Sequence, residues 1–253
     1  TNNEYRQFVY WVRDSIARKI LAEEVDEELY SNTINGFGED MDPPTINWYA
    51  KMNWLGEEER EALEVMFLPD YERFYNRKQI DTRKLMFEYS WIDYRTAASR
   101  FSREQGQIDR SVFIKKDIIN VYPDTLAWVH DFTYSYNEPL TNTYFWHPAY
   151  DDYPLVGISW KQARAFSIWR TELLNNYLRA GGFSDVQHFR LPTESEWEWA
   201  ARGGLDNNQF PWGGPYIRNT AGCFLGNFKP LRGNYVDDGG LNTVKVYSYN
   251  PND

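Results

Sequence analysis

A chain of 253 residues with a net charge of −10 is an improbable nucleic-acid binder, because phosphate neutralisation needs a basic face that is absent here. Its single cysteine, Cys223, rules out a disulfide within the chain. No stretch has the length and apolarity of a secretory leader or a membrane-spanning helix.

In chain order, Thr1 and Glu4 have the spacing of a helix N-terminal box. Tyr5, Phe8, Val9, Val12, Ile16 and Ile20 then recur as one apolar stripe, which predicts a helix to about residue 20. Two acidic runs, 22–30 and 56–64, read as solvated helix faces. Between them NGFGEDMDPP (35–44) reads as a loop, and residues 46–55 as aromatic and irregular. Glu57 to Phe67 predicts a helix with Ala62, Leu63 and Met66 inward, closed by Pro69.

Residues 70–110 interleave Arg83, Lys84, Arg95, Arg100, Arg103 and Arg110 with Tyr71, Phe74, Tyr75, Phe87, Tyr89 and Trp91. Such interleaving can hold single-stranded nucleic acid, but in so acidic a chain protein contact is the better reading. Trp91, Tyr94 and Arg95 are the candidate partner-binding anchors. Ser111 to Val121 reads as a strand, LAWVHDF (126–132) as an apolar segment, and Asn137-Glu138-Pro139 as a turn. Neither an internal repeat nor a low-complexity tract is present.

The last third carries the strongest local signals. Leu155 to Ile158 is a short strand-type run, and Ser159 with Gln162 forms a capping box. Ala163, Phe166, Trp169, Leu173 and Tyr177 supply the apolar face of the helix that follows, and Gly181-Gly182 ends it. In Phe189 to Gly204, Thr193 and Glu196 form a second box, Glu194 and Glu196 sit at the positive end of the helix dipole, and Gly203-Gly204 supplies the stop. The expectation is a short, deeply packed helix with Trp197 almost fully buried, so that Trp197→Ala would cost about 3–5 kcal/mol.

PLVGISW (154–160), RLPTESEWEWAARGG (190–204) and FPWGG (210–214), in that order, resemble the sulfatase-modifying-factor family, the domain of formylglycine-generating enzymes. The opening TNNEYRQFVYWV is similar to that family's start. The resemblance implies an α+β fold, C-type-lectin-like and poor in regular secondary structure. It also implies one domain over residues 1–253, apparently cut at both ends, with a family-specific insertion at about 21–150. EYRQFVYWVRDSI, VYPDTLAWVHDF, NEPLTNTYFWHPAYDDYP and WGGPYIRNTAGCFLGNFKPLRGNY look like the GldK/PorK family of gliding-motility and type IX secretion lipoproteins, with the GldJ lipoproteins next in likeness. That likeness implies a non-enzymatic ring subunit at the periplasmic face of the outer membrane. Its implied partners are a GldN/PorN-type protein, further copies of itself, and the membrane through an upstream lipid-modified cysteine.

The enzymes of the family imply a copper(I) ion held by two thiolates, a soft-ligand site. The resemblance places that pair in a C-terminal segment beyond residue 253; Cys223 lies well before it, is one thiol only, and reads as an inert core residue. The histidines His130, His147 and His188 lack ligand spacing, which also disfavours the family's iron-dependent sulfoxide synthases. Asp151-Asp152 and Asp237-Asp238 could hold calcium but read more simply as turn residues. Glu194, Glu196 and Glu198 read as capping and solvated residues rather than catalytic carboxylates. No catalytic residue, cofactor or metal ligand is assigned.

Overall fold

The computed structural model describes residues 1–35, 38–104, 109–131, 133–134, 138–205, 207–230 and 232–251. They form two compact units, one of residues 7–122 and one of residues 1–6 with 123–253. Helices and two small sheets make a mixed α+β fold. Among the described residues no helix is long and apolar enough to cross a membrane.

Helix α1 (Asn2–Glu24) contributes residues to both units. In the unit of residues 7–122 its inward stripe begins as read from the sequence, with Phe8, Val9 and Val12 buried. Further along, Ala17 and Leu21 are the fully buried residues, while Ile16 and Ile20 pack only partly against the core. Ala17 and Leu21 pack with Tyr30, Ala50, Leu63 and Met66 as one core. Phe8 meets Phe87 edge to face at 5.1 Å, and Trp11 stacks on Trp48 at 5.2 Å. Arg18 lies over the Trp48 ring and donates to the Asn47 and Ala50 carbonyls, which satisfies a largely buried guanidinium.

Short elements follow. Asp26 caps α2 (Glu27–Tyr30), and α3 (Glu57–Ala62) runs into a 3-10 turn that buries Leu63 and Met66 as expected. Strand β1 (Ser31–Ile34) pairs antiparallel with β2 (Asp40–Ile46). The loop expected at 35–44 is therefore half strand. Proline lacks the ladder donor but is tolerated here because a two-stranded sheet has only edges; Pro43 and Pro44 both lie in β2. Gly36 and Phe37 lie outside the described residues.

Strand β3 (Met86–Ile92) was hidden within the Arg/Tyr interleaving. It alternates exposed and buried residues, placing Phe87 and Tyr89 inward, and pairs antiparallel with β4 (Ile114–Asn120). The predicted strand at 111–121 is shortened because Arg110–Phe113 form a 3-10 turn capped by Asp109. Helices α4 (Tyr94–Ala97) and α5 (Arg100–Glu104) lie between the two strands in sequence.

The unit of residues 1–6 and 123–253 contains α6 (Ala127–Asp131), α7 (Pro139–Thr143), α8 (Trp160–Ala180) and α9 (Glu194–Arg202). Asn137 of the expected turn and Phe132 of the apolar segment lie outside the described residues. The core is aromatic: Tyr5 packs on Phe166 and Phe145, and Tyr144 on Trp128, Tyr150 and Tyr153. The Tyr144 hydroxyl donates to the Pro154 carbonyl and shares a hydrogen bond with Thr243. Burial pushes its pKa up.

Leu155 to Ile158 do not form the expected strand. Gly157 adopts φ +80° and its carbonyl accepts a 2.7 Å bond from the Asp124 amide, and a Cβ there would stand 2.2 Å from the Asp124 carbonyl oxygen. A close backbone crossing, not a ladder, fixes this segment.

Helix α8 carries the predicted capping box of Ser159 and Gln162, but its inward face turns away from the apolar stripe. Trp169 is buried as expected, whereas Leu173 and Tyr177 are exposed and Thr171 and Asn175 are buried instead. Those two polar residues tie down the next segment. Asn175 Oδ1 accepts from the Val186 amide, and Thr171 Oγ1 accepts from the Phe189 amide, each at 2.9 Å. The following HFRLP run stays irregular, held to the helix by side chains rather than by a strand ladder.

Helix α9 has the predicted Thr193/Glu196 box and a left-handed Gly203 at its C-terminus. Its burial departs from expectation: Trp197 is 65% exposed and Trp199 72%. Capping and termination are local properties, but burial needs a covering layer. Asn208 to Pro211 line the Trp197 face but leave an open groove of about 380 Å³ beside it. Trp197→Ala in this chain should therefore cost less than about 1 kcal/mol in a denaturant titration. A loss of several kcal/mol would mean the ring is packed in solution.

Candidate functional site

The segment read as a partner-binding surface begins on a charged frame within the unit of residues 7–122. Arg73 pairs with Glu64 and Asp70, Lys78 with Glu64, and Arg83 with Glu72 and Asp81. Asp81 is the buried member, and the Arg83 guanidinium holds its carboxyl below the usual carboxylate range against the opposing effect of burial. This frame leaves Tyr71, Phe74 and Tyr75 in solvent.

Asp93 then caps α4, accepting the Thr96 amide at 3.1 Å and the Thr96 hydroxyl at 2.6 Å. The cap fixes the turn that carries Tyr94, 72% exposed, and Arg95, also exposed. Trp91 differs: it lies on the packed face of β3 with Phe87 and Tyr89 and is half-buried. Tyr94 and Arg95 are thus adjacent and solvent-facing, while Trp91 supports the sheet beneath. The Arg103 side chain lies outside what the structure describes.

The residues weighed for metal chemistry do not converge. Among the described residues no group of three His, Cys, Asp or Glu side chains could hold an ion. Cys223 is exposed, not a core residue as expected. A tight turn holds it: Asn219 Oδ1 accepts the Cys223 amide at 2.9 Å, and the Asn219 amide returns a bond to the Cys223 carbonyl. Local side-chain to backbone bonds formed the turn, so the apolar-glycine context was a poor guide to burial.

His147 caps a 3-10 turn by accepting the Ala149 amide, and His130 lies 3.9 Å from Asp124 at the surface. Asp151 pairs with the buried Arg6, and Asp237 with Arg218. Asp238 is buried and accepts the Phe228 amide at 2.7 Å. Glu196 accepts both guanidinium nitrogens of Arg190, at 2.7 and 2.6 Å, besides capping α9.

That ion pair, with the Thr193 amide and hydroxyl, pulls the Glu196 carboxyl down from 4.5 to about 2. A carboxyl with a depressed folded-state pKa adds stability above its unfolded value, and the contribution is lost as pH falls through the folded one. The α9 N-terminus should accordingly loosen between pH 4.5 and about 2. The Thr193 amide resonance followed against pH should show this titration, and Glu196→Gln should abolish it; an unchanged profile in the variant would assign it elsewhere.

One concavity was missed by sequence reading. Trp128, Leu140, Phe228, Tyr235 and Leu241 line a cleft of about 360 Å³ together with Glu138, Asn227, Lys229 and Asn242. Lys229 lies 4.4 Å over the Tyr235 ring, and Asn227 donates to the Asn242 carbonyl at 2.7 Å. The signal was present in FLGNFKPLRGNY, but only tertiary contact brings residues 128–141 beside it.

Comparison with known proteins agrees with the motif order. Residues 90–253 match the family model described as "Sulfatase-modifying factor enzyme 1-like domain". The chain belongs to this family. The match begins at residue 90, inside the stretch read as an insertion at about 21–150.

Among curated family relatives, the chain is 35% identical over 98 residues to the "Inactive C-alpha-formylglycine-generating enzyme 2" of Bos taurus, covering 38% of this chain and 26% of that one. It is 36% identical over 104 residues to the "Formylglycine-generating enzyme" of Streptomyces coelicolor, covering 40% and 27%. A "Serine/threonine-protein kinase pkn1" of Chlamydia caviae is 29% identical over 84 residues, covering 33% and 11%. The chain thus spans about a quarter of the two formylglycine-type relatives. No solved structure matches. Cys223, the one thiol of the sequence, is exposed and turn-bound and does not by itself make a dithiolate site.

Proposed function

We propose that this chain is a non-catalytic member of the sulfatase-modifying-factor family. It is a structural subunit of the GldK/PorK type in the periplasmic ring of the gliding-motility and type IX secretion machinery. The observation that carries this reading is the solvent-facing aromatic and arginine surface centred on Tyr94 and Arg95. Tyr and Arg are favoured interface anchors, and a subunit contacting a GldN/PorN-type partner and further copies of itself needs such surface. A relative bearing the word "inactive" supports a family able to keep its fold without the reaction. The lectin-like likeness and the insertion at about 21–150 belong to the same proposal, as do the upstream lipid anchor and the outer-membrane location. The sister lipoprotein GldJ is its nearest variant.

The test is recovery of the GldN/PorN-type partner by a Tyr94→Ala, Arg95→Glu double variant, with Trp91→Ala made separately because that ring is half-buried. Loss of partner from the folded double variant is expected. Undiminished recovery removes this surface from the interface. Cell fractionation placing the full-length protein in the cytoplasm would defeat the membrane-anchored ring itself.

A second reading, a formylglycine-generating oxidase acting on a sulfatase cysteine, is favoured by the match to active enzymes. Mass spectrometry of a sulfatase-derived cysteine peptide, incubated with the full-length protein, copper(I) and dioxygen as the oxidant, decides it. Formation of the aldehyde would replace the structural proposal with the catalytic one.

A further inference from the structure

We infer that the outer edge of β3 pairs with the same edge of a second copy, joining two β3–β4 hairpins into one four-stranded antiparallel sheet across a two-fold axis. The inference goes beyond the proposed function, because a two-fold contact requires neither a ring nor a different partner.

The ladder itself shows which backbone groups face outward. The Val121 amide donates to the Leu85 carbonyl, and the Asp93 amide to the Phe113 carbonyl, at either end of the β3–β4 register. Hydrogen-bonded pairs alternate in an antiparallel ladder. Phe87, Tyr89 and Trp91 therefore spend their backbone groups on β4, while Met86, Glu88, Ser90 and Ile92 direct theirs to the open edge. The four side chains at those positions are exposed. Among the described residues no backbone hydrogen bond reaches them from outside the sheet.

Open edges are usually blunted by proline, lysine or side chains that occupy the backbone. Strands β2 and β4 follow that rule, whereas the four-residue β1, reading SNTI, is blunted only by its shortness. Strand β2 carries Pro43 and Pro44. Strand β4 carries Lys115 and Lys116, and its outward Ile118 amide donates to the neighbouring Asp117 carboxylate at 3.1 Å. Strand β3, reading MFEYSWI, has no proline or lysine, and its one charge, Glu88, lies 3.2 Å from Lys116.

The sequence of β3 is also self-complementary at that edge. The two-fold register that uses all four outward residues sets Met86 opposite Ile92 of the second copy and Glu88 opposite Ser90. Apolar meets apolar, and the carboxylate meets a hydroxyl. A shift of two residues one way would oppose Glu88 to its own copy, which like-charge repulsion disfavours. The self-pairing register is therefore specified by the side chains as well as by the free backbone groups.

The test is sedimentation equilibrium of the whole chain with three substitutions at one position. Ser90→Pro removes an outward amide that the β3–β4 ladder does not use, so it should leave a folded monomer. Ser90→Glu places a carboxylate against Glu88 of the second copy, twice per dimer, and should weaken association about tenfold. Ser90→Lys should hold or tighten it. If the proline variant fails to fold, the opposite responses to Glu and Lys still decide the matter. A wild-type chain that stays monomeric overturns the inference, even if its edge captures a foreign extended peptide. A dimer indifferent to all three substitutions does so as well.

Discussion

Replacing Phe8 with alanine should destabilise the unit of residues 7–122 by about 3–5 kcal/mol, the range for a fully buried aromatic truncated to a cavity. Phe8 is 0% exposed, sits near the start of the α1 stripe in that unit and meets the Phe87 edge at 5.1 Å. Its loss removes the transfer free energy of the ring, the edge-to-face contact and the partner on which β3 rests. Leu55→Ala, at an 89% exposed position, is the matched control and should change nothing measurable. The comparison is made by denaturant titration, following the unit through the near-ultraviolet signal of Trp11 and Trp48. A Phe8→Ala loss below about 1 kcal/mol would mean that the site collapses around the missing ring, contrary to close packing.

Asn2→Ala should cost the other unit about 2–4 kcal/mol. The Asn2 side chain is 0% exposed and donates through Nδ2 to the carbonyls of Tyr144 and Tyr150, at 3.1 and 2.9 Å. Alanine leaves both acceptors short of a donor in a dry aromatic core. Asn2→Asp should cost more than alanine, because a carboxylate brings a buried charge against two carbonyl oxygens and donates nothing. The order wild type, Ala, Asp in thermal unfolding is the expected outcome. An aspartate variant as stable as wild type would show that these two bonds do not hold the segment.

Much of what lies within about four residues was legible in the sequence. The Ser159/Gln162 and Thr193/Glu196 boxes, the glycine stops and the first half of the α1 stripe stand where the spacing put them. The family followed from motif order alone, and residues 90–253 bear it out. The opening Thr1-Asn2-Asn3 was legible as a family-like start, but not for its physical reason. That reason is two carbonyls more than 140 positions away.

The failures share a cause. Leu173, Tyr177 and Trp197 were assigned inward because they were apolar and correctly spaced, yet each is exposed. Thr171 and Asn175 were passed over because they were polar, yet they are buried and hold residues 186–189. Strand β3 was obscured by the arginines around it, and Cys223 was placed in a core that its turn does not reach. Of the three proposed anchors, Tyr94 and Arg95 stand in solvent while Trp91 faces the sheet.

Helix boundaries and the family came from the sequence because caps, stops and motif order are satisfied by neighbours along the chain, wherever the rest of the molecule lies. Which face of each helix is covered was decided only by tertiary structure. Burial depends on a second surface arriving from a distant part of the chain, and periodicity shows that a face could be covered without showing what covers it.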